Sequence, residues 1–364
     1  MAKSGGSLKS GESVVTGKPV LSGQTGKSRK KVSKKKVAKI VLISLAVFIV
    51  LNLFGAAIGT STSITHPKRS SYDDVISEMK ENNVWGDFDS YEKEDYIVKG
   101  KDGYELHCTR VYDPSTVGTG KYVIYSHGHT SNKFSASKYC DAYINMGFTC
   151  ITYDQRAHGE NAKAICSMGG NEGVDLNYLI EDTYSRYGDV AVLGLQGESM
   201  GTSTSLNALR YTDKVDFVVA DCGFQSLKYM VHDMYNDMYL YPFGTCADIG
   251  FKLLYNIDDA EVSGIDALKG KGVPVLFIHG SDDNWIDVQN SMDMYDEAVK
   301  YAYSELWIVP GAGHARSRQV AGSEEYQAHI EAFLVAAGVM DEYSSGADDN
   351  LSGAEDAASV AEAA

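Results

Sequence analysis

Gly197-Glu198-Ser199-Met200-Gly201 is the segment whose residue types and spacing could do covalent chemistry. It closes the apolar run AVLGLQGES (191–199) and opens a helical pattern near 200–211. A serine between two glycines is weak evidence by itself, and serine is also a common helix N-cap. A strand entering and a helix leaving make it the pattern of a nucleophile elbow, a sharp turn that exposes the hydroxyl. Gly197 and Gly201 would let strand and helix approach closely. The helix N-terminus, with the Met200 amide, would then face an oxyanion forming beside Ser199.

Such a serine needs a scaffold, and the rest of the chain predicts one. Apolar runs at 122–128, 148–154, 215–223, 274–280 and 305–313 alternate with helical patterns near 137–146, 175–187, 288–302 and 324–337. Runs without internal alternation are buried on both faces, as in a parallel sheet covered by helices. The expectation is a doubly wound, mostly parallel α/β sheet. Segments 95–99 and 104–112, around the turn Lys101-Asp102-Gly103, predict a leading antiparallel hairpin. Residues 224–265 are too long for an ordinary crossover loop and predict a small helical cap. The Tyr and Met side chains between Tyr229 and Tyr241 are expected to line an acyl pocket, or else only to pack among themselves.

Four motifs at strand ends carry a resemblance to the α/β-hydrolase superfamily, over about residues 94–338. They are the Ser199 elbow, His127-Gly128-His129-Thr130, His279-Gly280-Ser281-Asp282-Asp283 and Gly311-Ala312-Gly313-His314. The segment Asp154-Gln155-Arg156-Ala157-His158-Gly159 is similar to a further family motif, with Ala157 where glycine is usual. The resemblance implies an oxyanion hole built from the His129 and Met200 amides. It also implies a triad in the chain order Ser199, Asp283, His314. His314 would then accept the serine proton as general base, and Asp283 would orient it. Asp282 and Asp221 are the competing acids, set behind Asp283 by the motif register. The implied function is a serine hydrolase of carboxylic esters, similar to bacterial esterases and serine aminopeptidase-like members. A peptidase or acyltransferase would use the same triad, and a catalytically silent envelope binding module is the reading of another class. His107 and His158 are expected to be structural, and no metal site or cofactor is expected.

Charge and hydropathy place this domain in the cell. Residues 1–39 carry 11 Lys/Arg and one acid, leaving the remaining 325 residues with 22 basic and 48 acidic side chains. A folded part so acidic is a poor partner for nucleic acid. Ile40–Ile58 holds 19 residues without a charge, enough to cross a bilayer, and basic residues flank only its N-terminal side. The expectation is a basic cytoplasmic tail (1–39), a single transmembrane signal-anchor (40–58) that contacts the lipid bilayer, and a linker with a lead-in helix (59–93). An extracytoplasmic hydrolase domain (94–340) and an acidic disordered tail (341–364) complete the chain. Secretion after signal cleavage is the alternative. The six cysteines form no CxxC pair and read mostly as buried thiols, with Cys222–Cys246 the bridge to expect if one forms.

Overall fold

The computed structural model describes residues 32–341. Most of the basic tail and nearly all of the acidic tail lie outside these residues. Two compact units divide the chain after Val50. The first contributes the N-terminal half of an apolar helix, α1 (Lys34–Thr65), and the second holds the rest of that helix and everything after it.

In the second unit α2 (Tyr72–Glu81) starts at a capping box, Ser71 Oγ accepting the Asp74 N–H while the Asp74 carboxylate accepts the Ser71 N–H. The hairpin β1 (Glu92–Lys99) and β2 (Glu105–Tyr112) follows. Strands then alternate with helices: β3 (Lys121–Ser126), α3 (Ser137–Asn145), β4 (Thr149–Tyr153), α4 (Gly170–Tyr187), β5 (Val192–Glu198), α5 (Met200–Ala208) and β6 (Phe217–Asp221). The pair α6 (Leu227–Asp237) and α7 (Tyr241–Tyr255) forms the expected cap, joined by α8 (Gly264–Leu268) to β7 (Val275–Gly280). After α9 (Gln289–Ala298) and β8 (Ser304–Val309), α10 (Ser317–Ala321) and α11 (Ser323–Ala336) close the fold.

The eight strands form one sheet in the order β1-β2-β4-β3-β5-β6-β7-β8. Only β1–β2 and β2–β4 pair antiparallel; β3 to β8 run parallel. Successive residues of a strand point to opposite faces, so β6 sends Phe217 and Val219 into one core and Val218 and Ala220 into the other. The first core is closed by α2, α3 and α11, through Met79, Tyr143 and Phe333. The second is closed by α4, α5 and α9, through Leu179, Leu206 and Met294. That double burial is why β4, β6 and β7 are apolar without alternation.

One boundary differs from expectation. The helix does not end near Ile58 in a polar linker but continues to Thr65, and its hydroxyls find partners both within it and on the cap. Ser61 and Thr65 donate to the carbonyls of Ala57 and Ser61, at 2.6 and 2.7 Å. Thr60 and Thr62 pair with the hydroxyls of the cap residues Tyr235 and Tyr255. Close approach fixes Gly250 on α7: a Cβ there would lie 2.3 Å from the Ala57 carbonyl oxygen. Among the described residues α1 is the one helix long and apolar enough to cross a membrane. All six cysteines are unpaired, which overturns a Cys222–Cys246 bridge; Cys222 is sealed in the core after β6.

Candidate active site

Ser199 sits between β5 and α5 with φ 55° and ψ −117°, a backbone conformation that side-chain-bearing residues rarely adopt. Its N–H donates to the Asp221 carbonyl at 2.9 Å, and its own carbonyl accepts the Thr202 N–H at 3.0 Å. The flanking glycines are obligatory for space. A Cβ on Gly201 would lie 1.8 Å from the Ser126 carbonyl oxygen, and one on Gly197 would lie 2.5 Å from that of Gly201.

The loops after β7 and β8 bring the other two residues to it. His314 Nε2 lies 2.9 Å from Ser199 Oγ, and His314 Nδ1 lies 2.7 Å from Asp283 Oδ2. A carboxylate only accepts, so Nδ1 carries the proton and Nε2 presents its lone pair to the serine hydroxyl. The Asp283 side chain is shielded from solvent. Its Oδ1 accepts the N–H groups of Trp285 (2.8 Å) and Ile286 (3.0 Å). Burial alone would raise its pKa, but hydrogen bonds from His279 and His314, the latter's charge and the Ile286 N–H hold it well below the usual carboxylate range. Asp282 instead accepts from Ser281 Oγ at 2.8 Å.

Asp221 belongs to a separate buried group beneath Ser199. It accepts from the hydroxyls of Tyr326 (3.0 Å), Tyr139 (3.2 Å) and Ser317 (3.4 Å). The Tyr139 hydroxyl also donates to Glu198 at 2.5 Å, and Lys138 forms a buried ion pair with Glu198. Burial and the neighbouring Glu198 charge push the Asp221 carboxyl up to about 6, against the pull of Lys138 and Tyr326. A raised carboxyl pKa means stability that is complete below the unfolded value and lost as pH rises through the folded one. Asp221→Asn removes that loss. The stability of the variant relative to wild type should therefore climb by roughly 2 kcal/mol between pH 4 and 7. Chemical denaturation in detergent at both pH values measures it, and a pH-independent difference would contradict the assignment.

The turn after β3 lies against Ser199: a Cβ on Gly128 would be 3.6 Å from the serine Cβ. Buried His127 holds this turn, with Nδ1 donating to the Gly128 carbonyl at 2.8 Å and Nε2 accepting the Gln155 N–H at 3.0 Å. Met200 opens α5, so its amide is among the first four that lack an intrahelical acceptor. His129 follows Gly128 in this turn and borders the cavity over Ser199, and Met200 follows Ser199 in the chain. Ala157 takes φ 68°, where glycine would fit without steric cost, so the loop keeps its shape with some strain.

Two cavities meet at Trp285, whose exposed ring stacks 6.3 Å from that of His314. One, of about 440 Å³, lies over Ser199 and is bounded by Gly128, His129, His314 and Met79. The other, of about 350 Å³, is lined by Met230, Met234, Met238, Asp233, Asp237 and Asp287. The cap methionines therefore line the second cavity. The tyrosines do not: Tyr235 is buried against Thr60, and Tyr239 and Tyr241 face outward. Sequence reasoning also missed His279, whose Nε2 lies 3.2 Å from Asp283 Oδ2, and the Lys138–Glu198 pair. The position of His279 four residues before Asp283 in its motif was the available signal.

This sheet order, with the serine turn after β5, is the α/β-hydrolase fold. The profile of the prolyl oligopeptidase family matches residues 175–338. The uncharacterized protein YqkD of Bacillus subtilis is 28% identical over 275 residues, spanning 73% of this chain and 88% of its own. Among solved structures, the Pyrococcus furiosus esterase Pf2001 superposes with a TM-score of 0.58 at 22% identity, over 76% of this chain and 98% of its own. An acylaminoacyl peptidase of Pyrococcus horikoshii superposes with a TM-score of 0.51 at 14% identity, over 71% of this chain and 43% of its own. The class these comparisons support is a serine hydrolase.

Proposed function

We propose that this chain is a membrane-anchored, extracytoplasmic serine hydrolase that cleaves carboxylic esters through an acyl-enzyme. The observation that carries the reading is the continuous hydrogen-bonded row from Ser199 through His314 to Asp283. In the first half-reaction Ser199 Oγ bonds to the ester carbonyl carbon while its proton passes to His314 Nε2. The carbonyl oxygen becomes an oxyanion held by the His129 and Met200 amides. When the carbon–oxygen bond to the leaving alcohol breaks, His314 returns the proton to that alcohol. Water then repeats the sequence on the acyl-serine, releasing the acid and restoring the enzyme. Asp283 stays ionised and balances the imidazolium form of His314 in both halves.

An aminoacyl substrate is the second reading. It is favoured by Asp233, Asp237 and Asp287 in the cavity beside Trp285, which would attract an ammonium group. Extracytoplasmic placement is supported by the heavier basic tract on the N-terminal side of the apolar helix, Lys27 to Lys39, against Lys68 and Arg69 after it. One experiment separates these parts: a membrane-impermeant fluorophosphonate probe applied to intact and to lysed cells. Labelling of intact cells is the expected result. Labelling after lysis alone would sink the topology and keep the hydrolase, whereas none in either would sink the hydrolase. Faster turnover of aminoacyl arylamides than of p-nitrophenyl esters would put the second reading first.

A further inference from the structure

The turn after β3 and the loop between β4 and α4 bring His129, His158 and Cys166 together, with one donor atom of each within 4.8 Å of the others. His158 is fully buried, and its Nδ1 lies 2.8 Å from the Arg156 carbonyl oxygen. The Nδ1–H must donate there, so Nε2 carries a lone pair, and that atom has no hydrogen-bond partner. A buried polar atom left without a partner is costly and calls for an explanation. His129 is held in the same way, its Nε2–H donating to the Ile64 carbonyl at 3.0 Å and leaving Nδ1 unprotonated. Imidazoles that bind metals are fixed by this kind of bond from the second nitrogen to a carbonyl. The third donor, Cys166 Sγ, lies 3.5 Å from Met200 Sδ and 4.0 Å from Met168 Sδ.

We propose that His129, His158 and Cys166 bind a thiophilic metal ion, copper(I), with a methionine sulfur as a weak fourth donor. Bonds of about 2.0–2.3 Å place donors roughly 3.4–3.8 Å apart around a trigonal or tetrahedral ion, so these side chains need to close by about an ångström. On binding, two metal–nitrogen bonds and one metal–sulfur bond form. The Cys166 S–H bond breaks, its proton goes to solvent, and the oxidation state of the metal is unchanged. Two imidazoles, a thiolate and thioethers without a carboxylate suit copper(I) better than a hard cation, and the methionine sulfurs favour it over zinc(II). Sequence spacing gave no hint of this group, because His129 lies 29 residues before His158, on a different loop from His158 and Cys166. The site adjoins both proposed oxyanion amides: His129 is a ligand, and Met200 touches Cys166 through sulfur. Metal would therefore tie the turn after β3 to the start of α5.

The test uses the full-length chain in detergent, stripped by a chelator and loaded anaerobically with copper(I), with zinc(II), or with both in competition. Metal content after desalting and X-ray absorption at the metal edge are the readouts. One equivalent of copper bound through one cysteine sulfur and two imidazoles is expected. It should be lost in Cys166→Ser and in His158→Gln and kept in Cys246→Ser. Circular dichroism reports whether each variant is folded; where one is not, the other variant and the wild-type absorption spectrum decide. Copper retained in the folded variants would lie elsewhere, as at Cys222, Asp283 and His314, and would overturn the proposal. So would a chain that binds no copper, leaving His158 Nε2 to a bridging water. Preference for zinc in competition would overturn the choice of ion.

Discussion

Replacing Ser199 by alanine is expected to lower kcat by about 10⁵–10⁶-fold while leaving the fold intact, and His314→Ala should lose about as much. Alanine keeps a Cβ and hence the same backbone strain, so the change removes the nucleophile and little else. The two losses are similar because proton transfer from Ser199 to His314 Nε2 is one step shared across a 2.9 Å contact. The double variant should therefore be barely worse than either single one. Residual rate would come from the oxyanion amides and substrate binding. Steady-state kinetics with an active p-nitrophenyl ester, alongside probe labelling, measure all three. Full activity in folded Ser199→Ala would refute the mechanism.

Asp283→Asn should cost about 10⁴-fold in kcat, for a reason the hydrogen bonds make specific. The Trp285 and Ile286 N–H groups both point at Oδ1, so an asparagine must place its carbonyl there. Its NH₂ group then falls at the Oδ2 position, facing His314 Nδ1 and His279 Nε2. A donor facing Nδ1 forces the His314 proton onto Nε2, and that nitrogen can no longer accept from Ser199. Asp221→Asn leaves the tautomer alone and should stay within about tenfold of wild type, since Asp221 acts on His314 only at a distance. Near-normal turnover in Asp283→Asn with a dead Asp221→Asn would reverse the assignment of the acid.

The parts of this site readable in the sequence are those written within a few residues of a strand end. The elbow around Ser199, the His279–Asp283 segment and the Gly311–His314 segment each announce themselves locally. The sheet needs only their order to bring them together. The hairpin and the cap were legible for similar reasons, one from a turn signal and one from an overlong connection. What could not be read depends on contacts between distant residues. Tyr139 and Tyr326 converge on Asp221 from α3 and α11, and Lys138 reaches Glu198 across 60 residues. The polar end of α1 looked like a linker because its hydroxyl partners, Tyr235 and Tyr255, lie about 175–193 residues away. The gathering of His129, His158 and Cys166 is of the same kind.

The left-handed backbone at Ser199 has a consequence for how this protein can be improved. Holding a side-chain-bearing residue at φ 55° costs about 1–3 kcal/mol, a cost glycine would not incur. The residue proposed as the nucleophile is thus also among the least comfortable in the chain. Any selection that rewards heat resistance or expression without asking for turnover would push this position toward glycine and discard the enzyme. Directed evolution of a sturdier form must keep catalysis in the screen from the first round.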